Sequence, residues 1–150
     1  MTSPSNATIA EYHLTEGPRW YRTRIRVWGT LLGLVIPGVL GGIAYGSLHL
    51  SDASWSGPTG LIGGYFAAPT LLGVGAPFGD RGLYPLAVIA AALLWMAVGF
   101  LAGRRATRNP MATFADYWRH YLWMLFGIWA GVAAALAVAT VRIGSGILDW

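Results

Sequence analysis

No cysteine and no lysine occur in this 150-residue chain. The first absence removes disulfides, thiolate metal sites and a cysteine nucleophile, and leaves the redox compartment unmarked. The second makes all ten basic residues arginine, a usage that fits a GC-rich bacterial genome. Charge of either sign is scarce: 11% of residues are charged against 55% hydrophobic, and mean hydropathy is +0.53. A soluble domain of this size needs far more charge to cover its surface, so the composition specifies an integral membrane protein. Nucleic-acid binding would require a basic surface larger than the polar parts of the chain can make, and it is set aside. Acidic lipid headgroups are the expected counter-charge for the net +4.

Catalytic signals are missing as well. The acids are Glu11, Glu16, Asp52, Asp80, Asp116 and Asp149, scattered between tail, loops and the C-terminal end. No nucleophile or metal-ligand pattern accompanies them, and no GxSxG, HExxH, P-loop or GxGxxG stands in a usable context. The expectation is a chain that is not an enzyme, with no metal and no cofactor of its own.

What is present is long apolar runs. Three reach spanning length, at about 27–49, 83–103 and 120–141, taking roughly 20 apolar residues per crossing. None contains an internal Asp, Glu, Lys or Arg. Proton pumping or charged-substrate transport leaves ionisable groups within the membrane, so their absence weighs against both. The expected fold is an all-α integral membrane protein of one domain, spanning 1–150.

Arginine placement sets the expected orientation, because positively charged loops stay in the cytoplasm. Arg19, Arg22, Arg24 and Arg26 precede the first span, and Arg104, Arg105, Arg108 and Arg119 separate the second from the third. Only Arg81 and Arg142 fall on the other side. The N-terminus is therefore expected in the cytoplasm and the C-terminus outside, in a bacterial inner membrane. Residues 1–26 form a cytoplasmic tail, 50–82 an exported loop and 104–119 a cytoplasmic interfacial segment. Arg22, Arg24, Arg26, Arg104 and Arg105 are the expected headgroup contacts. The tail lacks a signal-peptide cleavage pattern, so the first span is expected to be an uncleaved anchor. Asn6-Ala7-Thr8 is a chance sequon match on that side.

The exported loop contains PTGLIGGYFAAPTLLGVG at 58–75, uncharged but broken by Gly and Pro. A fourth span there would invert the arginine asymmetry, so it is expected to be an apolar, turn-rich connector, a docking surface before a filter. Asn109-Pro110 is the expected start of a short interfacial helix. Tyr117, Trp118, Tyr121 and Trp123 would then form a cytoplasmic aromatic belt, together with Trp20, Tyr21 and Trp28, and Asp116 and Arg119 are spaced to pair.

Small residues recur every four positions: Gly38, Gly42 and Gly46, with Gly29 and Gly33 earlier; Gly99 and Gly103; Gly127, Gly131 and Ala135. This spacing lines one helix face, where two backbones can approach closely in lipid. The rows exceed what three helices need for mutual packing, which points to partner helices, either copies of this chain or other subunits. Pro37 is expected to kink the first span.

Four residues are candidates to meet a cofactor. His49 and His120 sit at opposite ends of the spans, too far apart to share one haem or metal. Trp95 and Trp129, with Phe100 and Phe126, are the aromatics placed to contact a quinone, pigment or haem held by a neighbouring subunit. The leading functional expectation is a non-catalytic accessory subunit of a larger bacterial inner-membrane complex, of respiratory or photosynthetic type. A homo-oligomeric channel for a neutral or hydrophobic solute is the alternative, followed by an enzyme or assembly factor acting on lipid-linked substrates.

Overall fold

A computed structural model describes residues 18–148, apart from 51, 52, 54, 77 and 110, and every regular element among them is helical. The expectations for the tail, for Asp52, Pro110 and Asp149, and for the side chains of Arg19 and Tyr21 lie outside the described residues. The helices are α1 (Pro18–Leu32), α2 (Val35–Leu50), α3 (Ser56–Ala67), α4 (Thr70–Gly73), α5 (Tyr84–Ala106) and α6 (Phe114–Leu148), with a 3-10 turn at Arg81–Leu83 leading into α5. Three stretches are long and apolar enough to cross a membrane: Arg22–Leu50, Arg81–Ala106 and Phe114–Arg142. The chain thus has the make-up of a multi-pass membrane protein.

The first crossing is interrupted by its own proline. Pro37 has no N–H to offer the carbonyl four residues back, and its ring crowds that carbonyl. The break accordingly falls one turn before the proline, at Gly33–Leu34, where the amide of Leu34 tightens onto Leu31 O at 3.0 Å. Regular bonding resumes with Gly38 N–H to Leu34 O at 2.8 Å. The freed Gly33 carbonyl is not left bare: the Tyr121 hydroxyl donates to it at 2.7 Å.

α6 begins later than Asn109-Pro110 suggests. Asn109 Oδ1 accepts from the Met111 amide at 3.0 Å in a local turn, and the helix starts after Thr113. Asp116 closes a reciprocal cap: its carboxylate accepts from the Thr113 amide at 2.9 Å, and its own amide donates to Thr113 Oγ1 at 3.4 Å. From there one unbroken helix of 35 residues continues, so the interfacial helix and the third span are a single rod. At 1.5 Å per residue it is about 52 Å long, well beyond a bilayer's hydrocarbon thickness.

The core lies in the half of the bundle nearest the α5–α6 connection. Ile25, Trp95, Val98, Ala102, Ala106, Tyr117, Tyr121 and Leu125 form one buried cluster. Tyr117 and Tyr121 are fully buried, which corrects their expected place in an aromatic belt. With Leu125 they recur every four residues and so share the inward face of α6, whereas Trp123 projects from the opposite side and is 75% exposed.

Candidate functional site

Two backbones meet where side chains are absent. Gly29 on α1 and Gly33 in the break after it face Gly99 and Gly103 of α5; a Cβ added at Gly33 would lie 2.9 Å from Gly99 Cα, and one added at Gly99 would lie 2.9 Å from Gly33 Cα. Only glycine permits this approach, and the gain is van der Waals contact that lipid cannot replace. The two tyrosines of α6 clasp the contact from the side. Tyr117 donates to Gly29 O and Tyr121 to Gly33 O, each at 2.7 Å, with their rings stacked 6.0 Å apart.

The 58–75 stretch takes a different form from the turn-rich connector that its composition suggests. Residues Ser56–Ala67 form α3, which packs antiparallel on α2: Gly63 faces Ala44 and Gly41 faces Ala67. A 12-residue helix is about 18 Å long, roughly half of a ~30 Å hydrocarbon core. Its end reaches the middle of the long helices. The Trp95 indole N–H donates to Ala67 O at 2.7 Å and that of Trp129 to Phe66 O at 3.1 Å, so two tryptophans satisfy carbonyls that the end of α3 leaves open. The chain then turns back, with the Thr70 hydroxyl donating to Ala87 O near the start of α5 and the Tyr65 hydroxyl to Ala76 O. Non-helical backbone at such a level is stable because surrounding protein satisfies it. The described residues of 56–83 are therefore a docked hairpin, helical on its outgoing limb and mostly turns on its return.

An apolar groove of about 430 Å³ opens between α2, α3, α4 and α5, with Trp95 in its wall. Trp129, His49 and His120 do not line it. The histidines are separate and engaged by their own helices: Nδ1–H of His49 donates to Tyr45 O at 3.0 Å and that of His120 to Asp116 O at 2.8 Å. His49 also stacks on Tyr45 at 4.1 Å. Among the described residues no cluster of three His, Asp or Glu could hold a metal ion. Asp80 is spent on the turn before α5, accepting from the Gly82 amide at 2.8 Å.

Arginines converge at the other end. Arg22 and Arg26 on α1 face Arg104 of α5 and Arg108 of the turn after it across a cleft of about 570 Å³, and among the described residues none that lines it is acidic. Arg22 and Arg26 are four apart and so share a face of α1, while Arg108 lies in the turn that follows α5. Arg104 lies over the Phe100 ring at 5.7 Å, and the floor is Ile25 and Gly103. Of the expected headgroup contacts, Arg22, Arg26 and Arg104 meet here. Arg24 and Arg105 do not line the cleft, and Arg24 stacks on Trp20 at 4.3 Å. Arg108 was not singled out from sequence as a headgroup contact; it reaches the cleft from the turn after α5, which no helical spacing marks.

The small-residue rows divide in two. Gly99 and Gly103 are used inside the bundle, against Gly29, Gly33 and Ile25. Gly38, Gly42, Gly127 and Gly131 have nothing within 4 Å of an added Cβ, Gly46 meets only Leu50 of its own helix, and Ala135 is exposed. No family model matches this chain, and no curated protein or solved structure is significantly similar to it.

Proposed function

We propose that this chain is a non-catalytic subunit of a larger assembly in a bacterial inner membrane, of the respiratory or photosynthetic kind, and that it works by docking partner helices. Its arginines hold the N-terminus and the 104–119 segment in the cytoplasm and leave the hairpin on the outer side. The observation that carries the reading is the state of α6. Only 11% of its most apolar window is buried, against 39% for α5, and Gly127 and Gly131 stand open on it. Inside the bundle, small residues at this spacing are where backbones touch. On α6 the same pattern faces outward, available to another helix. The Trp95 groove is the place where a quinone or pigment carried by a partner would meet this chain.

Purification in mild detergent, followed by intact-mass measurement, tests the proposal. Stoichiometric foreign subunits are expected, and they should be lost from G127L/G131L while the isolated chain keeps its helical content. A homo-oligomer alone would shift the reading to a channel, and a solitary monomer would sink both. Single cysteines at the exposed positions Phe78 and Met111, labelled from each side, test the orientation. Labelling at position 78 from the cytoplasm would reverse it.

A further inference from the structure

We propose that the arginine cleft between α1 and α5 binds the phosphate headgroup of an anionic membrane lipid. Arg22, Arg26, Arg104 and Arg108 place four fixed charges around one space, with no acid among the described residues of its lining. Arginine cannot shed its proton at neutral pH, so an anion entering the cleft relieves the mutual repulsion. Phosphate matches that need, since a guanidinium fork donates to two of its oxygens together.

The shape of the cleft selects an amphiphile over a free ion. Its charged rim continues inward to Thr30, one turn deeper than Arg26, and to the Phe100 ring, one turn deeper than Arg104, above a floor of Ile25 and Gly103. A ligand with phosphate at one end and an apolar tail at the other fits that order. The site also stands where α1 and α5 emerge from their apolar stretches, at the level of lipid phosphates. None of this depends on the chain belonging to a larger assembly.

The test uses the full chain, reconstituted in vesicles of equal parts phosphatidylcholine and phosphatidylglycerol, extracted and weighed intact by native mass spectrometry. Retained phosphatidylglycerol is expected, with phosphatidylcholine at background. Calorimetric titration with dioctanoyl phosphatidylglycerol then compares two variants of equal charge. R26Q/R104Q should weaken binding roughly 30-fold, about 5-fold for each charge removed at the membrane surface. R24Q/R105Q, outside the cleft, should stay within about 2-fold of the unaltered chain. Equal weakening in both variants would mean diffuse surface charge and would overturn the site. An affinity for inorganic phosphate alone equal to that for the lipid would overturn the lipid assignment. If R26Q/R104Q does not fold, R26K/R104K keeps the charge but loses the fork, and undiminished binding in that variant would count against the geometry.

Discussion

Replacing Gly99 with alanine would place a Cβ 2.9 Å from Gly33 Cα and 3.0 Å from the Gly33 amide nitrogen. Both atoms are backbone, so no side chain can rotate away, and α1 and α5 must separate. Overpacking of this kind costs about 1–3 kcal/mol. The displacement also pulls Gly29 and Gly33 from the hydroxyls of Tyr117 and Tyr121, and membrane hydrogen bonds average about 0.6 kcal/mol each. The sum is roughly 2–4 kcal/mol, less the gain of up to about 1 kcal/mol that alanine brings to a helix interior. Gly127→Ala is the matched control: nothing lies within 4 Å of its new Cβ, so it should be neutral or slightly stabilising. Reversible unfolding in mixed micelles, followed by circular dichroism, measures both. A G99A variant as stable as G127A would refute the close-packed geometry.

Tyr121→Phe removes the donor to the carbonyl freed by Pro37 and should cost about 0.6–1.7 kcal/mol. In a Pro37→Ala background the restored amide at position 37 can bond Gly33 O, so the same change should cost measurably less; equal costs in the two backgrounds would refute the link between break and tyrosine. Trp95→Phe removes the N–H that holds Ala67 O, and the end of α3 should loosen. A cysteine introduced at Ala68 would then label faster than in the unaltered background, and an unchanged rate would show that Trp95 does not hold the hairpin.

The three crossings were legible because hydropathy over some 20 residues needs no knowledge of neighbours. The hairpin was not, because its Gly and Pro content reads as breakage when the protein that satisfies the backbone is unknown. Tyr117 and Tyr121 were misplaced for a related reason: aromatics near a span's end suit a headgroup belt, and only the four-residue spacing to Leu125 hints that they face inward. Likewise the glycine rows announced close approach without naming the pairs. Gly29 and Gly33 met Gly99 and Gly103, while Gly38 and Gly42 stayed open.

The sequence by itself determined the three long apolar helices, because windowed hydropathy sums transfer free energies along the chain, and the absence of cysteine chemistry, because no such residue is there. Tertiary structure alone decided that four arginines, from α1, α5 and the turn after it, share one cleft, that two tryptophans close the end of α3, and that a tyrosine answers for the proline's missing bond. Those are contacts between residues 28 to 88 positions apart in the chain. Directional bonds of that kind depend on which helix faces turn toward each other, and no local pattern along the chain encodes it.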